Sequence, residues 1–436
     1  MWSEIISLSL PIIGATLSQN LFNLVDTAMI GRLGPASLAA CGVGGMLNWV
    51  IVAVFIGLSV GVQAISARRY GEGDAQASLA VLNNSILLLL VTLPYTAIVV
   101  YFAKELFALF SNDAEVIAEG VPYLTARLVS IPFVGVNFAF AGYLNGVHKA
   151  GEQLKVVVFI HIANIILNFV LIFGFSIITP MGTLGAGVGT ALASLFGTFY
   201  YVYLVLRMES GRRFFRFASL SREIIGGIFK LSYPICFQQL SLSASLLAFY
   251  WVAGLIGVRE LAATNIVLKI AMLCILPCVG LGTAATSLVS SSLGGGDREM
   301  ARRWGRETIY IGVIYTMGMA GMFVAAPDFW LSLFVDDPKT VLLGVVPLLV
   351  MAVGEVVDGM GIIYSRVLTG AGASRKVMTA MLLLQWGWFL PLAYALSVSL
   401  GGGIAGLWTA WLIYRATFAA VMLVYFRKSD WETILV

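Results

Sequence analysis

Charged residues are scarce in this sequence. Only 11% of its 436 residues are Asp, Glu, Lys or Arg, whereas a soluble domain carries about 25%. Hydrophobic residues make up 60% of the chain, and its mean hydropathy is +0.94. Because the apolar stretches recur along the whole length, the composition excludes a soluble globular domain and predicts an integral membrane protein.

Histidine and cysteine are also scarce, which restricts the chemistry. The two histidines and four cysteines show no zinc-ligand spacing, and every cysteine falls inside an apolar segment, which predicts buried packing. No phosphate-binding loop of the form G-x-x-x-x-G-K-[ST] occurs, and no serine, histidine and acid combine in a polar loop. The sequence therefore does not support an enzyme, a bound cofactor or ATP as an energy source.

The apolar residues form twelve segments that can cross a bilayer as helices, since a spanning helix needs about 20 residues. The predicted spans are residues 5–29, 38–66, 79–103, 120–146, 154–178, 185–206, 224–256, 261–292, 306–326, 341–370, 377–399 and 404–426. Their apolar runs are continuous rather than alternating, which argues against strands. We therefore predict an all-α integral membrane protein.

The basic residues orient these spans. Four of the 26 Lys and Arg residues lie within spans and four at one set of connections, which leaves 18 at the alternate connections. The eight exceptions are Arg127, Lys269, Arg366 and Arg415 within spans, and Arg32, Lys104, Arg259 and Lys339 at the sparse connections. This positive-inside bias predicts that both termini are cytoplasmic.

The second half of the chain resembles the first when shifted by 223 residues. The matching residues include Pro11 with Pro234, Gly31 with Gly254, Gly57 with Gly280, and Gly71, Gly73 and Asp74 with Gly294, Gly296 and Asp297. Six spans per half place both halves in the same orientation, so we predict two six-helix lobes related by a pseudo-two-fold axis along the membrane normal. The predicted N-lobe is residues 1–206, the cytoplasmic linker is 207–223 and the C-lobe is 224–436.

Three acids lie deep in the predicted spans, namely Asp26, Glu355 and Asp358. A charge at bilayer depth costs about 2.5–3.5 kcal/mol on insertion scales, so each is a functional candidate. Transport driven by an ion gradient needs an intramembrane group that changes charge or binds a cation. We expect Asp26 to be that group, and the repeat gives it no equivalent, because its counterpart is Phe249.

The fifth span adds His161, Asn164 and Asn168, which share one helical face. Two carboxamide oxygens and a carboxylate form a hard-ligand set suited to Na⁺, and protonation of the same aspartate gives a proton site. The alternative for the asparagines is hydrogen bonding between helices. For His161 the alternatives are a proton relay and a neutral ring hydrogen-bonded to backbone.

In the tenth span, Glu355 and Asp358 are three residues apart and share a face. We expect Lys269, in the eighth span, to be their counter-charge. The pair is then either a buried ion pair that neutralises itself or a second cation or substrate site, and the one negative charge left over favours the second. Arg127 and Arg415 lie nearer span ends, where we expect their side chains to snorkel to the interface; the alternative is a functional role for each.

The residues around Asp26 resemble a known family. An early proline followed by V-D-T-A-M-I-G-R-L-G resembles the opening of the MATE multidrug and toxin extrusion transporters. Other matches are the loop at 69–74, the Asn164-x3-Asn168 pair followed by Ile172-Phe173-Gly174, and the region of Gly370. The resemblance implies two six-helix lobes and the export of organic cations, drugs and metabolites in exchange for Na⁺ or H⁺.

The resemblance also implies residue roles. Asp26 matches the essential N-lobe aspartate and Asn164 the asparagine of helix five. Thr190 matches the threonine of helix six, with the backbone of Ala186 nearby, and Asp358 matches the helix-ten aspartate of the norfloxacin-exporter branch. These matches imply an N-lobe cation site formed by Asp26, Asn164, Asn168, Thr190 and Ala186.

Two departures from the family pattern bear on that site and its C-lobe counterpart. The norfloxacin-exporter branch carries a glutamate on helix seven, where this chain has only Gln238, Gln239 and Ser241. Asn168 stands where some members carry a carboxylate, which weakens a two-carboxylate proton site in the N-lobe without excluding Na⁺.

The sequence therefore predicts an antiporter coupled to Na⁺ or H⁺ that exports amphipathic, cationic organic compounds by alternating access. One alternative is a lipid-linked precursor flippase, although the three deep acids disfavour an anionic headgroup, and another is a non-transporting receptor or scaffold. We expect an inner-membrane location, a monomer, and no cofactor other than the coupling ion. The expected partners are a small organic substrate and membrane lipid, without nucleic acid.

Overall fold

The computed structural model describes residues 1–90, 92–208, 214 and 221–434. Within these ranges the chain forms α-helices, two π-helical segments and one short 3₁₀ turn, and the only β-type pairing is an isolated bridge between Phe175 and Ile178. The all-α prediction is confirmed. The basic linker residues Arg212, Arg213 and Arg216 lie outside the described residues.

The helices follow one another with short connections. In chain order they are α1 (Trp2–Gly31), α2 (Pro35–Gly71), α3 (Ala75–Leu89), α4 (Thr92–Tyr101), α5 (Ala103–Ala108), α6 (Ala114–Val129), α7 (Ile131–Gly146), α8 (Ala150–Phe173), α9 (Gly182–Arg207), α10 (Arg222–Ile256), α11 (Val258–Gly294), α12 (Arg298–Ala325), α13 (Pro327–Ser332), α14 (Pro338–Gly370), α15 (Ser374–Leu382), α16 (Leu390–Tyr394) and α17 (Gly403–Lys428).

Eleven helices in the described part of the chain are long and apolar enough to cross a membrane, and a bent pair raises the number to twelve. The pair is α6 and α7, which meet at 47°. The bend falls just before Pro132, where proline disfavours continuation of the preceding helix. The twelve predicted spans are thus confirmed. The fourth is the bent pair, the third contains α3 and α4, and the eleventh contains α15, α16 and the two π-helical segments.

The fifth span ends earlier than predicted. The hydropathy pattern extends to residue 178, but α8 stops at Phe173, and Gly174 follows with a φ of 79°. Phe175 and Ile177 are exposed in the turn that comes next. The prediction ran too far because this loop is as apolar as the helix before it.

The chain divides into two compact units. The N-terminal unit is Gly14–Cys236, and the C-terminal unit is Met1–Ile13 together with Phe237–Val436. In the N-terminal unit α2 packs on α6 and α7, and α8 packs on α9. In the C-terminal unit α14 packs on α11, α12 and α17. The lobe boundaries at 206 and 224 remain a prediction about the sequence repeat.

The two units share structural details that follow the repeat, whose shift is 223 residues at Asp74 and Asp297 and 224 residues at the pairs Gly146 and Gly370, and Asp113 and Asp337. Gly146 and Gly370 each lie against a neighbouring helix backbone, since a Cβ there would come within 2.7 Å of Gln63 O and 2.9 Å of Thr286 O. Small residues of this kind let membrane helices approach closely. Aspartates also cap equivalent helices, namely Asp74 and Asp297 on α3 and α12, and Asp113 and Asp337 on α6 and α14.

Candidate functional site

The first deep acid, Asp26, is buried in α1 and bonded to α8. Its Oδ1 accepts a hydrogen bond of 2.7 Å from Nδ2 of Asn168, and Asn168 is fully buried. The bond joins residues 142 positions apart in sequence. The structure therefore brings together two of the predicted N-lobe cation ligands.

Two amide oxygens on the α8 face that carries Asn168 have no hydrogen-bond partner among the described residues. Oδ1 of Asn164 and Oδ1 of Asn168 are both buried, and neither accepts a hydrogen bond from any described residue. A buried acceptor left unpaired costs about 1–3 kcal/mol, so such atoms call for an explanation. A carboxylate with two unpaired carbonyl oxygens is the kind of ligand set that a hard cation prefers.

Helix α9 closes one side of the Asn168 amide. A Cβ placed on Gly189 would collide with Oδ1 of Asn168, so only glycine allows this approach. Next to it, the hydroxyl of Thr190 donates a 2.9 Å hydrogen bond to the carbonyl of Ala186. Among the described residues Thr190 makes no hydrogen bond to Asp26, and the predicted Thr190 and Ala186 ligands are hydrogen-bonded to each other.

Arg127 contributes a positive charge to the same region. Its Nη1 donates a 2.7 Å hydrogen bond to the hydroxyl of Tyr123, one turn away on α6, and its guanidinium lies within electrostatic range of Asp26. The expectation that Arg127 snorkels was therefore wrong, because its head group bonds within the unit. The sequence signal for this role was that Arg127 is one of the few basic residues within a predicted span.

His161 lies on the same face of α8 as the asparagines and contacts α1 through both nitrogens. Nδ1 is 2.7 Å from the Ser18 hydroxyl, and Nε2 is 3.2 Å from Oε1 of Gln19. The ring stacks on Phe22 with centroids 5.1 Å apart. The partners are side chains rather than the expected backbone, and no described hydrogen bond links His161 to Asp26, so the proton relay stays a prediction.

The C-terminal unit holds the other two deep acids. Glu355 and Asp358 on α14 are 1% and 0% exposed. Asp358 Oδ1 lies 3.0 Å from Nη1 of Arg415 on α17. The guanidinium of Arg415 also lies 5.4 Å from the Trp411 ring centroid and 5.3 Å from that of Tyr414. Two acids and one arginine thus form a buried charged cluster.

The expected counter-charge for this cluster was wrong. Lys269 is exposed on α11 and makes no ion pair with either acid, whereas Arg415 contacts Asp358 instead of snorkelling. Helical spacing shows that Glu355 and Asp358 share a face, but α14 packs on several helices, and spacing cannot select among them. The sequence signal for Arg415 was again its place within a span.

Where the family pattern implied a glutamate on helix seven, the structure shows an uncharged network. The hydroxyl of Ser241 donates a 2.7 Å hydrogen bond to Oε1 of Gln385 and accepts one of 2.8 Å from Nε1 of Trp386. Gln385 Nε2 also donates to the hydroxyl of Ser245. Gln385 and Trp386 lie in the π-helical segment Leu383–Phe389, a distortion frequently associated with functional sites.

Known proteins match this chain over nearly its whole length. The MatE family model matches residues 11–171 and 234–395, once in each half. The chain is 30% identical to the multidrug resistance protein NorM of Burkholderia vietnamiensis, covering 95% of this chain and 91% of the relative. It is 23% identical to a probable multidrug resistance protein NorM of Thermotoga maritima, covering 98% and 93% respectively.

Solved structures show the same fold. A MOP superfamily transporter from Pyrococcus furiosus superimposes with a TM-score of 0.87 at 24% identity, covering 97% of this chain and 94% of the other. The outward-facing conformation of a multidrug resistance MATE family transporter gives a TM-score of 0.88 at 24% identity, with the same coverage. At this identity the likeness concerns the fold alone.

Proposed function

This chain belongs to the MatE family of membrane transporters, and on that premise we propose that it is a cation-coupled antiporter with Asp26 as its coupling residue. As a family member it is an integral membrane transporter rather than an enzyme. The observation that supports a cation at Asp26 is the pair of buried, unpartnered amide oxygens of Asn164 and Asn168, on the face of α8 that contacts Asp26 through Asn168. The chemistry of the site thus fits a small monovalent cation.

Of the two coupling ions, the N-terminal unit favours Na⁺. Sodium prefers several oxygen ligands, and the carboxylate of Asp26, the oxygens of Asn164 and Asn168, the Thr190 hydroxyl and the Ala186 carbonyl form such a set. Asn168 donates through its nitrogen to Asp26, and its oxygen, which faces Gly189, has no hydrogen-bond partner among the described residues. A proton needs only the carboxylate and would leave both amide oxygens unpaired.

Coupling requires that the cation binds the two transport states unequally, because a ligand with equal affinity for both shifts nothing. In our proposal a bound cation neutralises Asp26 and draws the asparagine oxygens of α8 towards α1. The interface between these helices then differs between the loaded and the empty site. That difference biases alternating access and releases the substrate.

We propose amphipathic, cationic organic compounds as the exported substrates. The relatives named above are multidrug resistance proteins, which supports a broad class of small organic molecules. The three deep acids outnumber the two arginines that lie near them, so the excess charge favours a cation. The distribution of lysine and arginine supports an inner-membrane location with both termini cytoplasmic, and we propose a monomer.

The test is efflux from proteoliposomes with Na⁺ and pH gradients imposed separately. We expect Asp26→Asn to abolish efflux driven by the Na⁺ gradient, because the neutral amide cannot bind the cation as a carboxylate does. Asp328→Asn is the matched control, since it removes the same charge at an exposed position in α13. Full Na⁺-driven efflux by a folded Asp26→Asn protein would refute the proposal.

A further inference from the structure

The N-terminal unit contains an arginine and an aspartate that attract each other but do not form an ion pair. The carboxylate of Asp26 accepts a hydrogen bond from Asn168, and the guanidinium of Arg127 donates one to the hydroxyl of Tyr123. The two charged groups interact electrostatically, yet neither forms an ion pair with any described residue. A charge away from water is costly when its partner is neutral, so both groups would be stabilised by contact with each other.

Tyr123 is a fixed support for the arginine. Its ring belongs to one buried apolar cluster with residues of α1, α2, α8 and α9, namely Ile30, Cys41, Ile172 and Ala186. A Cβ on Gly44 of α2 would come within 2.8 Å of the ring, and one on Gly187 of α9 within 2.7 Å of the Tyr123 carbonyl oxygen. Because both neighbouring helices lie so close, the tyrosine hydroxyl is held in one place.

Arg127 is attached to a part of the span that is already bent. It lies in the last turn of α6, and α7 follows at an angle of 47°. The hydroxyl of Ser130 donates a 2.6 Å hydrogen bond to the Arg127 carbonyl, so the break comes directly after the arginine. A guanidinium has five N–H donors at the end of a long, flexible side chain, and Tyr123 accepts from one of them. The guanidinium can therefore leave the hydroxyl without unfolding the helix.

We propose that Arg127 competes with the coupling cation for Asp26. The guanidinium contacts Asp26 when the cation leaves, and it returns to Tyr123 when the cation binds. The described structure, with Arg127 on Tyr123 and Asp26 on Asn168, has the arrangement expected for the cation-bound site. In the other arrangement α6 is bonded to α1 through the ion pair. This exchange makes the cation bind the two arrangements unequally, as coupling requires, and it rests on the proposed cation site at Asp26.

The test is the equilibrium binding of radioactive Na⁺ to the purified full-length protein. Arg127→Gln should lower the Na⁺ concentration for half-maximal binding by roughly 10-fold, because the competing charge is gone. Tyr123→Phe should raise that concentration, because the hydroxyl that holds the guanidinium away from Asp26 is removed while the ring still fills the cluster. The double variant should behave like Arg127→Gln, since there is no arginine left to release.

Two further variants serve as controls. Arg127→Lys keeps a positive charge and should bind Na⁺ nearly as the unmodified protein does. Arg32→Gln removes an exposed arginine of the same unit and should leave the affinity unchanged. A purely structural role for Tyr123 and Arg127 would instead weaken Na⁺ binding in both single variants. Unchanged or weaker Na⁺ binding by a folded Arg127→Gln protein would therefore overturn the proposal. If that variant does not fold, unchanged or tighter binding by Tyr123→Phe overturns it.

Asp26→Asn separates this proposal from the proposed antiport function. We expect Na⁺ to bind the unmodified protein and not Asp26→Asn. Na⁺ binding that is absent, or that persists in Asp26→Asn, would refute the cation site at Asp26 and the competition with it. If Na⁺ binding and Na⁺-driven efflux both depend on Asp26, but Arg127→Gln and Tyr123→Phe keep the affinity of the unmodified protein, only the competition is refuted.

Discussion

In the N-terminal unit the buried acid Asp26 accepts a hydrogen bond from an amide, whereas in the C-terminal unit the buried acid Asp358 contacts an arginine. An amide leaves the charge of the carboxylate in place, so a cation is still attracted to it. A guanidinium cancels that charge. Two intramembrane acids of one chain thus differ in how their charge is compensated, because their nearest partners differ.

The two acids have different partners although the two units share features of backbone packing and helix capping. Gly146 and Gly370 occupy equivalent positions in the repeat and allow the same close helix crossing in each unit. Asp113 and Asp337 cap equivalent helices through backbone N–H groups. Backbone packing and capping thus follow the repeat, while the buried polar side chains do not.

The largest effect is expected from removing the arginine of the C-terminal unit. Breaking a buried ion pair by deleting one partner costs about 3–5 kcal/mol, so Arg415→Gln should markedly lower the thermal stability of the purified protein. Arg127→Gln should cost only about 1 kcal/mol, because it removes one hydrogen bond to Tyr123 rather than a contacting counter-charge. The melting temperatures of the two purified variants in detergent measure both losses of stability.

Adding Asp358→Asn to Arg415→Gln should restore much of the lost stability, since the carboxylate that lost its partner is then neutral. Equal losses of thermal stability for Arg127→Gln and Arg415→Gln would contradict the difference in charge compensation between the two units.

A smaller effect is expected from removing one ligand of the N-terminal unit. Asn168→Ala deletes a hydrogen bond to a charged group, worth about 1.5–3 kcal/mol, and one oxygen of the proposed cation site. We expect the Na⁺ concentration for half-maximal efflux to rise by roughly 10-fold to 100-fold, by the equivalence of 1.4 kcal/mol to one factor of ten. The control is Asn23→Ala, an exposed asparagine of α1. An unchanged Na⁺ dependence would exclude Asn168 as a ligand.

The smallest effect on stability is expected from replacing a helix N-cap residue. The pKa of Asp337 lies below its ordinary value because its carboxylate accepts hydrogen bonds from the Thr340 hydroxyl and from the N–H groups of Lys339 and Thr340, with Arg259 nearby. A lowered folded-state pKa means that the ionised cap stabilises the protein above the unfolded pKa and is lost as pH falls through the folded value. Asp337→Asn should therefore lower the melting temperature slightly at neutral pH and progressively less towards acid pH.

The equivalent N-cap residue, Asp113, tests whether helix capping contributes equally to stability in the two units. Its carboxylate accepts from Glu115 N and Val116 N without a hydroxyl donor. We expect Asp113→Asn to have a smaller effect than Asp337→Asn at neutral pH. A larger effect for Asp113→Asn would show that the added hydroxyl of Thr340 contributes nothing.

The spans were predictable because each helix in a bilayer satisfies its own backbone hydrogen bonds and is recognised by its own apolar length. The short helices α5 and α13 were not predicted, and neither were the π-helical segments of the eleventh span, since no apolar period of sufficient length marks them. The end of α8 was missed because apolar residues continue into the loop. Length and hydropathy predict which segments can cross a membrane, but they do not predict turns that lie within apolar sequence.

The sequence by itself determined that the three deep acids are buried and which polar residues share a helical face, as with Asn164 and Asn168 or Glu355 and Asp358. Only the tertiary structure decided what each face meets: Asp26 meets Asn168, and Asp358 meets Arg415 rather than Lys269. Helical periodicity is a property of one segment, whereas a partner is chosen by the packing of two segments that lie far apart in sequence. The charge balance around each buried acid therefore depends on the folded arrangement.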